Sequence, residues 1–437
     1  MEDRYSTGQV FVTSRDETSI NKEVKKPLTI LIFLIQVLSG TAQTIDDLRD
    51  QWEESWPELK IPTLQLAYQN FLNQHLEAKT LKEQNTFFQS MASQLDKIDL
   101  NVIGRKDRLD WKIMNYETSL NLQRLQLIKA TQGHFQEGGV FHGPNGKRWY
   151  TYLIKHWTST DITPEEVTAY GWSEVKRVKS AMKKLQAEND INRAYTDEEQ
   201  DVEQAFSDYE QFLEKQVWSI VPHWFMPDLK IRRGSNANLK QVPGYYGGNV
   251  LSYNLFDDPF DLSQIDWLYL HEGIPGHHFQ INSESRADIP GYRSRISYSG
   301  YREGWAAYVE ELAQEQGWYT GPAQRFSQME WDLIRSTRLI LDVGLNYEGW
   351  TDEKAMEVWQ SIISDADHIG KREIARMRRW PAQVLTYKIG TKTILDTRAK
   401  ALGGDNSNKA LRAFHSKLLS KGSIPMALVP QLFGLPR

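Results

Sequence analysis

The sequence predicts a mainly α-helical protein, and three observations support this. Apolar residues recur at spacings of three and four over much of the chain from residue 45 onward, as expected for amphipathic helices. The intervening positions are rich in Leu, Glu, Gln and Lys, which favour helices. Pro, Gly, Asn and Tyr dominate only residues 222–261, where we predict loops and a small sheet edge with a strand over 247–253.

The composition is typical of a soluble globular protein with a large core. The chain has 437 residues, of which 40% are hydrophobic and 25% are charged. The net charge is −5, and no block of Lys and Arg is interleaved with aromatic residues. These features exclude nucleic acid as an expected partner.

Residues 24–42 resemble a secretory signal peptide, with lysines before an apolar run over 28–38 and small residues up to Ala42. The alternative is a buried core helix. The apolar run is too short for a comfortable transmembrane helix, which needs roughly 20 apolar residues. We expect cleavage after Ala42.

Residues 1–23 lie upstream of this signal, and we predict that they are a non-native extension and that translation starts at Val24. The chain has no cysteine, so neither a disulfide nor a lipid on a cysteine at the cleavage point is expected. We therefore predict a periplasmic or secreted protein with no stable membrane anchor after cleavage.

The mature chain, residues 43–437, is predicted to form a single helical domain. Glycines and a proline over 138–146 interrupt the helical pattern and mark a boundary between an N-terminal helical portion (43–140) and a second portion (141–437).

Thr163, Pro164 and Glu166 form the start signal of a helix in the second portion, with an N-cap, a proline at the first position and a capping-box glutamate. The helices predicted in this portion cover 164–189, 196–217, 302–316, 321–345, 351–367, 371–402 and 408–420.

The decapeptide 271–280 holds three of the 10 histidines of the chain and Glu272. Zinc peptidases carry H-E-x-x-H on a helix, where two histidines four residues apart bind the metal and the glutamate activates the attacking water. Here the residue four positions after His271 is Pro275, and the next histidines follow at six and seven positions. The spacing therefore does not fit a regular helix.

On a regular helix His277 would point about 120° away from His271. Pro275 lacks the N–H that would continue the helix, and Gly276 can adopt unusual dihedrals. We therefore predict a break that turns His277 back toward His271. One alternative is that Pro-Gly merely ends a helix and the histidines pack or cap; another is that His278 replaces His277 as ligand.

Glu303 is the predicted third ligand. It lies beside the small residues Ala306 and Ala307 on a helix whose apolar face includes Trp305. A buried carboxylate needs a partner, and a metal is a strong one. The alternative is a solvated glutamate in the first turn of a helix.

Five segments resemble the bacterial family known as domain of unknown function 885 (DUF885). The resemblance extends in the same order over residues 143–402. The segments are 158–171, 270–280, 303–310, 338–345 and 381–390.

The resemblance implies a mostly helical protein similar to zinc peptidases that use glutamate as third ligand. Three positions depart from the family pattern: Asn346 replaces a common histidine, Ala382 a usual glycine and Met377 a usual tyrosine. The metal triplet is intact, so these departures bear on substrate choice.

Other candidates carry weaker signals. Tyr387 and Tyr246 could each donate a hydrogen bond to the oxyanion of a tetrahedral intermediate, and the family motif favours Tyr387. Arg338 and Arg376 could each pair a substrate carboxylate, although structural ion pairs are the more ordinary role. Gln280, like Asp342, is a candidate for orienting His271 or His277.

The sequence thus predicts an exported hydrolase with one Zn²⁺, most simply a metallopeptidase that cleaves peptides. His271, His277 and Glu303 are the expected ligands, Glu272 is the expected general base and Tyr387 the expected oxyanion donor. A non-haem Fe(II) enzyme could use the same triplet, although oxygenases usually carry it on strands. A non-catalytic binding protein on the same scaffold is the other alternative.

Overall fold

The computed structural model describes residues 44–61, 77–131 and 139–436, except residues 241, 288 and 365. The predicted signal peptide and the extension before it lie outside the described residues. So does the part of the N-terminal helical pattern between Pro62 and Leu76.

The protein is mainly α-helical, as predicted. Before the small sheet, the chain forms α1 (Ile45–Ser55), α2 (Ala78–Leu95), α3 (Arg105–Ala130), α4 (Gly146–Thr158), α5 (Pro164–Glu188) and α6 (Glu199–Val217). After it come α7 (Ile265–Glu272), α8 (His277–Glu284), α9 (Ser299–Gln316), α10 (Pro322–Val343), α11 (Asp352–Ile362), α12 (Asp367–Arg379), α13 (Thr386–Leu402), α14 (Asn408–Leu419) and α15 (Val429–Leu432).

Helix α5 begins as the sequence predicts. The Thr163 side chain accepts from the backbone N–H of Glu166, and the Glu166 side chain accepts from the backbone N–H of Thr163. This capping box satisfies two of the N–H groups that a helix start leaves without partners.

The strands form two small sheets that precede the α7 helix. β1 (Tyr195–Thr196) pairs antiparallel with β5 (Phe260–Asp261). β4 (Val250–Tyr253) is the central strand of the other sheet; β2 (Lys230–Arg233) lies parallel to it and β3 (Gly244–Gly247) antiparallel. The strand predicted over 247–253 is therefore the end of β3, a tight turn and β4.

The single helix predicted over 371–402 is wrong. The chain instead forms α12 and α13, separated at Trp380–Leu385 by Pro381 and by Ala382, which has a φ of 68°. Proline cannot donate the helical hydrogen bond, and a positive φ turns the chain out of the helical direction. This break sets the direction of α13, which carries Tyr387.

Helices α9 and α13 cross at two glycines, Gly304 and Gly390. A Cβ added to Gly304 would lie 2.5 Å from Cα of Gly390, so only glycine allows this approach. The buried apolar side chains around the crossing belong to a large core cluster that extends from Ile45 to Val429. Within the described part of the chain, no helix is long and apolar enough to span a membrane.

Candidate metal centre

The helix that carries His271 ends at Glu272, and a new helix starts at His277. The break predicted from Pro275 and Gly276 is thus present. A Cβ at Gly276 would lie 2.0 Å from the backbone oxygen of His271, so the chain can fold back on itself only with glycine at this position. The two imidazole rings end 4.8 Å apart, centroid to centroid, in an edge-to-face arrangement.

Glu303 faces both imidazoles from α9. Its Oε2 lies 3.7 Å from Nε2 of His271 and 3.5 Å from Nε2 of His277. The indole N–H of Trp305 donates to the backbone oxygen of Pro275 at 2.7 Å, which fixes α9 against the break. The structure thus brings the three predicted ligands together, each with no more than 8% of its surface exposed.

The surroundings of His271 and Glu303 shift the pKa values of both groups. Burial alone would lower the pKa of His271, but hydrogen bonds to Glu303 and Glu310 raise it to about 9. Burial alone would raise the pKa of Glu303, yet hydrogen bonds to the two imidazoles hold it well below its usual range. Both shifts have the same cause, because a positive charge on the imidazoles and the negative charge of Glu303 stabilise each other.

The donor set fits a single zinc ion. One ligand atom from each of His271, His277 and Glu303 lies within 4.8 Å of the others, and two imidazoles with one carboxylate are a common catalytic zinc set. His271 donates from Nδ1 to Oε1 of Glu310 at 2.6 Å, so in the neutral imidazole the proton is kept on Nδ1 and Nε2 carries the lone pair that a metal requires. This fit is a property of the residues, and ligation itself remains a prediction.

Glu310 and Arg335 are the supporting residues that the sequence analysis missed. Glu310 is fully buried, and Arg335 donates to both of its carboxylate oxygens, at 2.8 and 2.7 Å. A signal existed in the sequence: Glu310 follows Glu303 by seven residues, or two helical turns, so both share one face of α9.

The residues predicted to orient the histidines do not do so. Asp342 accepts from the Tyr150 hydroxyl at 2.6 Å and from the backbone N–H of Ala382 at 2.9 Å. Gln280 donates to Glu284 at 2.6 Å. Neither side chain hydrogen-bonds to His271 or His277.

His278 points away from the triplet. Its Nε2 lies 2.9 Å from the backbone oxygen of Pro227, and its Nδ1 lies 3.2 Å from the hydroxyl of Tyr246. Tyr246 also donates to Asn249 at 3.2 Å. His278 therefore lies outside the triplet, and the Tyr246 hydroxyl is engaged by His278 and Asn249.

Glu272 and Tyr387 border the triplet. Glu272 is half-buried, and none of the described residues hydrogen-bonds to its carboxylate; burial raises its pKa against the opposing effect of the two imidazoles. The Tyr387 ring is stacked near His271 at a centroid distance of 6.2 Å. Burial and the negative charge of Glu303 raise the pKa of Tyr387, so its hydroxyl keeps its proton.

A second group of carboxylates, on Glu174, Glu311 and Asp332, could also hold a cation. It already has one: Nζ of Lys388 lies 2.6 Å from Glu174, 2.6 Å from Asp332 and 3.2 Å from Glu311. Arg177 adds a second positive charge, at 2.7 Å from Glu174. We therefore assign no metal to this group.

The three departures from the family pattern lie close together beside Asp342. Asn346 donates to the backbone oxygen of Met377 at 3.1 Å, and Ala382 donates to Asp342. All three side chains are fully buried. The substitutions thus belong to one packed region at the junction of α10, α12 and α13.

Comparison with known proteins supports the fold. The chain is similar to the crystal structure of a candidate lipoprotein from Colwellia psychrerythraea, with a TM-score of 0.61 and 20% sequence identity. The match covers 92% of this chain and 78% of the Colwellia chain. A second match is the structure of a candidate lipoprotein of unknown function from Shewanella oneidensis, with a TM-score of 0.53 and 18% sequence identity. It covers 92% of this chain and 80% of the Shewanella chain. No curated protein matches the chain.

The family model described as "Bacterial protein of unknown function (DUF885)" matches residues 124–432. This match spans well over half of the chain and includes every residue of the candidate metal centre, so the chain belongs to the DUF885 family.

Proposed function

We propose that this chain is a zinc-dependent hydrolase that cleaves peptides, a metallopeptidase. The observation that carries the proposal is the break over Gly273–Gly276, which places His277 beside His271 and opposite Glu303. A buried site of two imidazoles and one carboxylate, with a further free carboxylate next to it, matches the donor set and the base that zinc hydrolases need.

His271 and His277 would hold the ion through Nε2, and Glu303 through its carboxylate. A zinc ion held there would polarise the scissile carbonyl and lower the pKa of a water molecule. Glu310 and Arg335 would keep His271 in the required orientation and tautomer.

Glu272 is the proposed general base. Its carboxylate adjoins His271 in the chain and is not engaged by hydrogen bonds from the described residues. It can therefore accept a proton from the attacking water and return it to the nitrogen of the leaving amine. The hydrolysis then balances, because the water oxygen bonds to the carbonyl carbon, the C–N bond breaks and the amine leaves with the transferred proton.

Tyr387 is the proposed donor to the oxyanion. Its ring packs between His271 and the guanidinium groups of Arg335 and Arg338, whose Cζ atoms lie 5.4 and 5.8 Å from the ring centroid. These cations increase the hydrogen-bonding strength of the hydroxyl without removing its proton.

The decisive experiment compares wild type with Glu272→Gln for metal content and for cleavage of a mixed peptide library. We expect one zinc per chain in both proteins, and a loss of at least about 100-fold in kcat for the variant. Full activity of zinc-loaded Glu272→Gln would refute the mechanism. Stoichiometric iron in the wild type would favour the Fe(II) alternative, and zinc without chelator-sensitive cleavage would favour a binding protein.

We also propose that the protein is exported to the periplasm or the medium. Support comes from the signal-like sequence at 24–42 and from the two structurally similar proteins, which are both described as candidate lipoproteins. Cell fractionation with N-terminal sequencing tests this. A mature protein starting at Gln43 is expected, whereas a cytoplasmic protein that retains residues 24–42 would contradict the proposal.

A further inference from the structure

Arg376 is unlike the other arginines around the candidate metal centre. Arg335 pairs with Glu310 through two contacts, and Arg338 pairs with Glu373 at 2.8 and 3.0 Å. Arg376 forms no ion pair with any carboxylate of the described residues, and its contact at 2.7 Å is to the neutral side chain of Gln383. Its Nε is buried and has no hydrogen-bond partner among the described residues.

Of the three arginines near Tyr387, only Arg376 has no carboxylate partner among the described residues. Three arginines approach the tyrosine, but the nearby carboxylates of Glu310 and Glu373 are already bound by Arg335 and Arg338. Glu373 also binds Arg372 at 3.0 Å, so it has little capacity for a further partner. Arg376 is half-buried, and among the described residues no carboxylate lies within ion-pair distance of it, so an anionic ligand would be stabilised beside its guanidinium.

Arg376 is linked to the candidate metal centre through Tyr387. Arg376 hydrogen-bonds to the side chain of Tyr387; burial lowers the pKa of Arg376, whereas Tyr387, then Glu373 and last Glu303 raise it. Tyr387 in turn is stacked near His271. A ligand on Arg376 would therefore lie beside the proposed oxyanion donor and near the bond to be cleaved.

We propose that Arg376 binds the α-carboxylate of the substrate, so that the protein removes residues from the C-terminus of peptides. This inference rests on the proposed peptidase function. The planar guanidinium can offer Nε and one Nη to the two oxygens of a carboxylate at once. Water adds to the scissile carbonyl carbon, the C–N bond breaks, and the C-terminal amino acid or dipeptide leaves as the free amine.

A peptide with a free carboxylate should therefore be a much better substrate than its amide. We suggest N-acylated dipeptides and tripeptides with varied C-terminal residues, each as free acid and as C-terminal amide. In the wild type, amidation should lower kcat/KM by about 10- to 100-fold, the effect of a lost charged hydrogen-bond pair. In Arg376→Gln, kcat/KM for the acid should fall to the value for the amide, and kcat/KM for the amide should change little.

Two further variants make this comparison specific. Arg376→Lys keeps the charge but loses the two-pronged geometry, and it should fall between wild type and Arg376→Gln. Lys371→Gln removes an exposed cation from the same helix and should retain the full preference for the acid. Equal loss in Lys371→Gln, or equal cleavage of acid and amide by the wild type, would overturn the proposal.

A binding measurement separates this proposal from the proposed function. Metal-free wild type and metal-free Arg376→Gln are titrated calorimetrically with N-acetylated amino acids and with the corresponding amides. The wild type should bind at least one acid about 10-fold more tightly than its amide, and the variant should lose that preference. A preference without any hydrolysis by zinc-loaded protein would refute the peptidase, whereas no preference would refute the role of Arg376.

Discussion

Nδ1 of His271 lies 2.6 Å from the carboxylate of Glu310, and Arg335 holds the same carboxylate with two hydrogen bonds. The three side chains come from α7, α9 and α10. They form a buried chain of contacts from the candidate metal centre into the core. These contacts engage Nδ1 of the imidazole and leave Nε2 for a ligand.

Substituting Glu310→Gln should weaken zinc binding by about 10- to 100-fold, because the amide is a weaker acceptor for the His271 N–H and no longer pairs with Arg335. Zinc affinity would be measured by competition with a chromophoric chelator, at a temperature where circular dichroism shows the variant to be folded. Gln328→Ala is a suitable control, since Gln328 contacts Glu310 only at 3.4 Å. Equal affinities of Glu310→Gln and wild type would contradict this role.

Gly276→Ala should disrupt the candidate metal centre without changing any of its ligands, because the added methyl group clashes with the backbone. A Cβ there would lie 2.0 and 2.2 Å from the backbone oxygens of His271 and Leu270, so the break must open and His277 must move. We expect a loss of zinc binding and a destabilisation of about 3 kcal/mol or more. Gly321→Ala is the matched control, because its added Cβ meets only the flexible end of Gln324; a similar loss in both variants would argue against a specific effect.

The sequence was sufficient to predict the break, which follows from local chemistry, and to select Glu303 as the carboxylate that meets the two histidines. The Pro275-Gly276 pair interrupts a helix whatever the tertiary fold. Glu303 is marked in the sequence as a carboxylate beside small residues. By contrast, Glu310 was missed because a glutamate within a helix is usually solvated, and only the packing of α9 on α7 and α10 buries it.

The remaining errors have the same origin. Asp342 and Gln280 carry side chains that could orient a histidine, but which partner each one meets depends on the tertiary fold. The split between α12 and α13 was missed although Pro381 is a local signal, because the residues on both sides favour helix. The close contact between Gly304 and Gly390 could not be predicted from the sequence around either glycine.

Lys388→Met should destabilise the protein by about 3–5 kcal/mol, because it leaves the buried carboxylates of Glu174, Glu311 and Asp332 without their central cation. Chemical denaturation followed by circular dichroism gives the free energy of unfolding. Lys392→Met, one turn further along α13, removes a lysine from a surface ion pair with Asp396 and should change stability by no more than about 1 kcal/mol. Comparable values for the two variants would show that the buried cluster is not a major source of stability.

Asp342 should make the stability depend on pH in an unusual direction. Burial raises its pKa to about 7, against hydrogen bonds from Tyr150 and Ala382 that lower it. From about pH 4 to about pH 7 the unfolded chain releases this proton while the folded chain keeps it. Stability from this group is therefore complete at low pH and is lost as the pH rises through 7, by up to about 4 kcal/mol.

The measurement is the difference in unfolding free energy between wild type and Asp342→Asn at several pH values, because other groups titrate in both proteins. The amide keeps an acceptor for Tyr150 but has no proton to lose. The variant should gain stability relative to wild type as the pH rises from 4 to 8. A difference that stays constant with pH would mean that the Asp342 carboxyl titrates normally.

Ala382→Gly should stabilise the protein, although a glycine usually does the opposite. Ala382 has a φ of 68°, a conformation in which its Cβ is strained and glycine is not. Relief of this strain should outweigh both the lost burial of one methyl group and the greater freedom of the unfolded chain, for a net gain of about 1 kcal/mol. Ala375→Gly, at an exposed helical position of α12, should instead lose about 1 kcal/mol. Denaturation curves of the two variants should therefore shift in opposite directions, and a loss in Ala382→Gly would show that the packing of this methyl beside Asp342 matters more than the backbone strain.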